Sequence, residues 1–254
     1  MTSRRVHAAL ALVAVLLLAG CFGGPSEIPE EDLTGEASYD WETNATATFN
    51  LSRSSYTTVV EIQNRTELTV WRSDRLGTDS PVDVEALQFR FENRTVVNAT
   101  HGNLSATRTG DNTVISLPAE NGTVAYTAGR TGKRFSAPVF VEGSYELVLP
   151  PSTRIGVPLL SQASPGGYST DVTDDRMTVR WPDLSDGTLT VRYYLQRDLL
   201  LFGGLAVIVI VAGGGGTVYY LYQIRTLEER RKAMGDDIEY EDDIGDDGPP
   251  PGMR

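Results

Sequence analysis

From Leu199 to Tyr222 the chain reads LLLFGGLAVIVIVAGGGGTVYYLY, twenty-four residues without a charge. A helix of this length rises about 1.5 Å per residue and reaches roughly 36 Å, enough to cross a ~30 Å hydrocarbon core with some tilt. A single transmembrane helix over 199–222 is predicted. The competing reading is a buried core helix, but soluble helices this long normally carry charge on a solvent face.

The flanks set the expected orientation. Arg225, Arg230, Arg231 and Lys232 follow the stretch, whereas Arg192 and Arg197 precede it beside Asp198. Basic residues favour the inner side, so residues 223–254 are predicted to be cytoplasmic and the region before the helix extracellular. Tyr219, Tyr220 and Tyr222 cluster at the inner end, where aromatic rings prefer the headgroup layer. Ala212 and Gly216 frame a glycine run as a small-xxx-small pair, a surface through which two such helices can self-associate.

Residues 1–21, MTSRRVHAALALVAVLLLAGC, have two arginines, an apolar run and small residues, the outline of a signal peptide. Leu18-Ala19-Gly20-Cys21 matches a lipobox, which predicts cleavage before Cys21 and lipidation of its thiol. The alternative is an uncleaved first helix, giving a two-pass hairpin with the same region outside. Ser3-Arg4-Arg5 suggests twin-arginine export as against an ordinary basic leader, with His7 departing from the usual pattern.

Residues 22–38, FGGPSEIPEEDLTGEAS, carry prolines, glycines and acids without hydrophobic period, and are expected to be a flexible acidic linker. Beyond it, ATATFNLS, YTTVVEIQ, ELTVWRS, ALQFRFE, RTVVNAT, NTVISLP and TVAYTAG alternate apolar and polar over five to eight residues. That period reads as antiparallel sheet with one buried face. Leu87, Phe89 and Phe91 are expected to face one way and Gln88, Arg90 and Glu92 the other. GRTGKRFS, around 129–136, breaks the rhythm before APVFVEG, SYELVLP, RMTVRW and TLTVRYYL.

The expected fold class is all-β: an antiparallel, β-sandwich-like extracellular region of one or two units, 39–130 and 131–198, followed by the C-terminal helix. Residues 150–168 are expected as a crossing loop between strands. The final strand, 188–195, nearly abuts the helix, which predicts a sheet close to the bilayer. Tyr193 and Tyr194 are assigned to its membrane-facing end, and Trp181 either there or in the core. After the helix, QIRTLEERRKAM is able to prolong it, and the acidic remainder with Tyr240 is expected to be largely disordered or, alternatively, a docking peptide.

Charge excludes one class of function. The net charge of −12 divides into +2 over residues 1–21, −9 over 22–198 and −5 over 223–254, too acidic for a phosphate-binding footprint, so no nucleic-acid partner is expected. Only Lys133 and Lys232 are lysine, and the other twenty basic residues are arginine, a bias associated with concentrated salt. With one cysteine, Cys21, no intrachain disulfide is possible and the exterior must rest on packing.

The densest motif is one of modification. Asn44, Asn50, Asn64, Asn93, Asn98, Asn103 and Asn121 all begin Asn-x-Ser/Thr triplets, seven of eight asparagines where chance would give about one or two, so N-glycosylation is predicted. All precede Arg130. Threonine-rich strands generating such triplets cheaply is the plainer explanation.

Catalytic signals are sparse. His101 lies between two triplets without a nucleophile turn and reads as a loop histidine. Asp171, Asp174 and Asp175 are read as a solvated loop, with calcium as the alternative. No metal site, cofactor or catalytic residue is predicted.

The lipobox leader, the arginine-for-lysine acidic composition, the acceptor triplets in a β-rich exterior and the C-terminal span with its acidic tail together resemble the uncharacterised lipoprotein-like membrane proteins of halophilic archaea, a domain of unknown function. The resemblance implies a cell-surface location and carries no catalytic residue across. The expectation is a non-enzymatic binding or structural envelope component whose partners are membrane lipid, other envelope proteins or a second copy. The alternatives are a sensor acting through helix pairing and a surface hydrolase.

Overall fold

The computed structural model describes residues 25–73 and 77–236, the last four of these without side-chain detail. Alternation builds the first long strand: in Ala47–Leu51 residues 47, 49 and 51 are buried and Asn50 is exposed. Ser52 closes the following turn onto Ser55 (Oγ···Oγ 2.8 Å), and the chain returns as Ser55–Ile62 with Leu51 opposite Tyr56. This hairpin is the centre of an eight-stranded sheet. On one side follow Gly122–Gly129, Val84–Arg90 and the edge strand Val96–Asn98. On the other side Gly143–Val148 pairs with Ala47–Leu51, then come Arg176–Leu184 and Ser169–Thr173. The Gly143–Val148 pair is parallel; the other ladders are antiparallel.

Two further sheets face the inner surface of the large one. Ser26–Glu27, Ser105–Thr109, Asn112–Ser116, Glu67–Ser73 and Asp79–Pro81 form the first; Arg134–Pro138, Thr188–Arg192 and Gln162–Ser164 form the second. Leu68, Ile115, Phe135 and Leu189 from these sheets share one buried cluster with Phe49, Tyr145 and Trp181 of the large sheet. The fold is therefore mostly β, sandwich-like, followed by one long apolar helix. The rhythm break near Arg130 does not divide it. Phe49 and Phe135, on opposite sides of that point, have ring centroids 5.0 Å apart, and the strand at 143–148 lies inside the sheet begun at 47. Residues 150–168 contain only the short strands Thr153–Arg154 and Gln162–Ser164, as a crossing segment requires.

The linker expectation for 22–38 needs correction. Ser26 and Glu27 pair with Arg108 and Thr107, the short helix Glu30–Leu33 follows, and Ile28 and Leu33 are each 4% exposed in the main core. The chain then crosses the outer face of the large sheet. There Tyr39 packs with Val59, Ala86 and Ala125, and its hydroxyl donates to the Ala86 carbonyl (2.7 Å). Polar side chains on that face hold the segment: Gln88 Nε2 donates to the Ala37 carbonyl and Arg90 Nη2 to that of Trp41. Burying a large apolar side chain contributes about 2 kcal/mol, so these three anchors, together with the hydrogen bonds, offset part of the entropy lost in ordering a segment without periodic pattern. Ile28, Leu33 and Tyr39 stand five and six residues apart, a spacing that fits neither helix nor strand period.

Strand Val84–Arg90 shows the expected facing: Leu87 and Phe89 are fully buried, with Phe91 packed on the core. A bulge opposite Ala125 and Thr127 turns Ala86 to the outer face, with φ of 50°, where its carbonyl meets Tyr39.

The described β region ends at Gln196 as a compact unit, and the residues from Arg197 form a second. The helix Gln196–Asp236 runs 41 residues and contains the uncharged stretch 199–222. Within its 196–232 portion an 18-residue window has mean hydropathy 2.3, the apolar side chains there are exposed, and the helix is long and apolar enough to cross a membrane. The first fourteen residues of the expected tail, 223–236, continue the helix. TLEERRKAM is rich in strong helix formers and places Glu228 four residues before Lys232, a spacing that favours helix. Residues 1–21 with Cys21, and Tyr240 in the acidic tail, lie outside the described residues.

Candidate functional site

Strand direction gives the β domain two distinct ends. One is the exit end: Gly129 lies opposite Ser55, Arg134 opposite Arg192, and the chain leaves through Tyr194–Leu195 to Gln196. At the far end Gly122 lies opposite Ile62, and Glu67 and Ser105 both lie opposite Ser116.

Folding gathers five of the seven acceptor asparagines at the far end. Asn64 donates its backbone N–H to Asn121 Oδ1 (3.0 Å), joining two triplets 57 residues apart in sequence. Asn44 precedes Thr46, whose carbonyl takes the Glu61 N–H, Asn93 sits in the turn after Arg90, and Asn103 leads into Ser105. These five are exposed. Asn98 is half-buried on the edge strand, and Asn50 is exposed nearer the exit end. The hydrogen bonds shown at Asn50, Asn93, Asn98 and Asn121 all fall on Oδ1: from Arg176 Nη2 (2.7 Å), Thr95 N, Thr100 Oγ1 (2.6 Å) and Asn64 N. Oδ1 is fixed in each, and Nδ2, the atom that would carry a glycan, is the group not engaged by these bonds.

Between these triplets lies a polar cleft of about 550 Å³. Glu42, Glu61, Glu92, Arg90 and Arg94 are its ionisable lining. Arg90 Nη1 pairs with Glu42 Oε1 at 2.8 Å and its guanidinium lies over the Trp41 ring, 5.3 Å from the centroid. Glu61 accepts from Gln63 Nε2 at 3.0 Å. Asn64 and Asn121 stand on the rim, so glycans on them would cover the opening.

His101 is exposed, edge-on to Phe91 with centroids 6.2 Å apart, in a shallow cleft with Gln88, Val96, Asn98 and Thr100. Among the described residues no group of three or more His, Cys, Asp or Glu converges as a metal site. Asp171, Asp174 and Asp175 do not converge. Asp171 bonds Thr173 Oγ1, whereas Asp175 receives Ser152 Oγ (2.6 Å) and Arg154 Nη2 (3.1 Å), which hold its carboxyl below the usual carboxylate range, the serine bond most. Trp181 is a core residue, 1% exposed, with Nε1 donating to the Pro165 carbonyl.

One constellation is not visible in sequence. The rhythm-breaking segment 129–136 forms the wall of a second cleft, at the exit end, with Arg72, Arg130, Lys133 and Arg134. Arg130 is 8% exposed; Nη1 donates to the Ser52 carbonyl (2.9 Å), Nη2 to that of Gly132 (2.7 Å), and the guanidinium lies over the Tyr193 ring. A dense run of cations, TGKR after Arg130, was the available signal.

On the helix, Gly213 to Gly216 have open space where a Cβ would stand, and Thr217 Oγ1 folds back onto the Gly213 carbonyl. A larger residue at Gly216 therefore meets no obstacle within a single chain.

Fold and sites together define a β-rich domain joined to one candidate membrane-spanning helix. The chain belongs to a family of unknown function (DUF5803), whose model matches residues 43–239 and so takes in most of the domain and the helix. No curated protein matches it significantly.

Proposed function

We propose that this is a cell-surface glycoprotein whose β domain is extracellular and whose tail is cytoplasmic, serving as a non-enzymatic binding or structural component of the envelope. One observation carries the reading: both chain segments that lead to the proposed anchors leave the same end of the domain. Ser26, five residues after Cys21, lies opposite Arg108 at the exit end, and Gln196 leaves from that end too. Five of the seven acceptor asparagines gather at the opposite end. A lipid on Cys21, or a retained leader helix, and the helix from 199 would thus hold one end near the bilayer and present the other, glycan-covered, outward. The acidic surface and arginine-for-lysine bias suit concentrated salt, the setting of the haloarchaeal proteins that the chain resembles.

Signalling through helix pairing at Ala212 and Gly216 is the competing reading, favoured by the open glycine surface; Gly216→Leu that leaves self-association unchanged would end it. Mass spectrometry of intact protein and its glycopeptides from native membranes tests the main reading. It predicts a diacylglyceryl-sized addition at Cys21 and glycans at Asn44, Asn64, Asn93, Asn103 and Asn121. Unmodified asparagines at the far end would contradict it.

A further inference from the structure

A smaller cleft, about 320 Å³, lies at the far end of the large sheet, across the strand Ala47–Leu51 from the polar cleft described above. One of its walls is aromatic. The Pro165 carbonyl accepts from Trp181 Nε1 (2.8 Å), Gly166 and Gly167 follow, the latter at φ 81°, and Tyr168 comes to rest against the Trp181 ring with centroids 5.8 Å apart. Trp181 is 1% exposed and belongs to the core, whereas Tyr168 is 38% exposed and its hydroxyl makes no hydrogen bond among the described residues.

The other wall is charged. Arg180 Nε donates to Glu146 Oε2 (2.7 Å), and this bond engages one atom of each partner. Glu146 Oε1 and the two Nη groups of Arg180 make no further hydrogen bond among the described residues, which leaves a spare acceptor and spare donors beside the ring. Such a cleft is chemically two-sided: the ring packs on an apolar C–H face while the ion pair takes hydroxyls. A pyranose ring presents both faces at once.

The lining also supplies the source of the sugar. Asn44, the acceptor of the Asn44-Ala45-Thr46 triplet, lines this cleft, is exposed, and its side-chain amide makes no hydrogen bond among the described residues. A glycan on its Nδ2 therefore begins at the cleft, and so short a tether holds the first sugars there at an effective concentration of about millimolar. The volume is at the small end of the range for ligand sites, roughly 300–1,000 Å³, which suits one or two sugar rings and not a long chain. Asn64 and Asn121 differ in this respect, because the Trp41 ring beside them already carries the Arg90 guanidinium.

We infer that the first sugar rings of an N-glycan on Asn44 lie in this cleft, packed on Tyr168 and hydrogen-bonded by Arg180 and Glu146. The glycan then braces the loop at 165–168 against the start of the strand at 47. This rests on the glycoprotein reading above.

The test uses the full chain from native membranes, with occupancy of Asn44 read by glycopeptide mass and hydrogen exchange read at residues 166–170. Asn44→Gln removes the acceptor and keeps an amide. It is expected to speed that exchange about fivefold, the scale of one well-packed ring contact, and to change it less than about twofold in a chain carrying Tyr168→Ala. Asn103→Gln is expected to leave 166–170 unchanged. An occupied Asn44 whose loss has no effect on exchange, or the same effect with and without Tyr168, overturns the inference. Slow exchange restored to the Asn44→Gln chain by the released glycan at micromolar concentration also overturns it, marking a site for saccharides of other molecules. An empty Asn44 beside occupied far-end asparagines overturns the inference alone; no glycan on any of them overturns the glycoprotein reading and the inference with it.

Discussion

The two ends of the β domain are built from the same strands and differ in charge and in what they expose. The far-end cleft has three carboxylates and two guanidiniums, and triplet asparagines on its rim; the exit-end cleft has four cations and no lining acid among the described residues. Both ends terminate hydrogen-bonded ladders, and at the exit end the buried Arg130 also holds the Ser52 and Gly132 carbonyls. What the difference teaches is that the domain has a direction. Its cations gather where the chain continues into the apolar helix, and its modifiable, acidic loops gather where no further chain has to leave.

The comparison presumes that one rigid core joins the ends, and Phe135→Ala attacks that core hardest. The ring lies 5.0 Å from Phe49 and 5.1 Å from Tyr56, so its loss is expected to cost about 3–5 kcal/mol and to lower a single cooperative unfolding transition. Two separate transitions in calorimetry would split the domain near Arg130. Leu33→Ala comes next, at about 2–4 kcal/mol by denaturant titration, because the N-terminal segment is core and not tether. No loss of stability would return that segment to solvent and loosen the Trp41–Glu42 wall of the far-end cleft.

Alkali tests the same core without mutation. Burial pushes the Tyr39 hydroxyl to about 12 against its ordinary 10, and raises Tyr56, Tyr126 and Tyr145 as well. Unfolded tyrosines release protons first, so the stability these groups contribute is complete below pH 10 and declines as pH rises through the folded values. Spectrophotometric titration is expected to show these four ionising late. Ionisation of all eleven tyrosines near 10 in the folded protein would contradict the packing. The smallest effect belongs to the far end itself: Arg90→Gln removes an ion pair with exposed Glu42 and the contact over Trp41, together about 1 kcal/mol. A loss restricted to exchange protection around 41–43 would show that the far end is locally held; a global loss would tie it to the core.

Much of the architecture is legible in residues alone. Period-two alternation places Leu87 and Phe89 inward, and absence of charge marks 199–222 as a long apolar helix. Three features are hidden for physical reasons. Ile28, Leu33 and Tyr39 anchor the N-terminal segment one at a time, so no window shows a period. The core continuity across Arg130 depends on the pairing of 47–51 with 143–148, a contact between residues nearly a hundred positions apart. The exit-end cations come from residues 72 and 130–134, and linear charge averaging buries them in the −9 of the region. The triplets are plain in sequence, but their gathering at one end, with Asn64 bonded to Asn121, is a product of strand direction.

The central claim is that the β domain and the tail lie on opposite sides of a membrane. Variants of the full chain with one added cysteine, Asn64→Cys and Tyr240→Cys, exposed in sealed cells to a membrane-impermeant maleimide and read by peptide mapping so that Cys21 is scored apart, test it most directly. Labelling at position 64 and protection at 240 until the cells are opened is the expected result. Labelling at 240 with protection at 64 would invert the molecule, and labelling of both in sealed cells would remove it from the membrane.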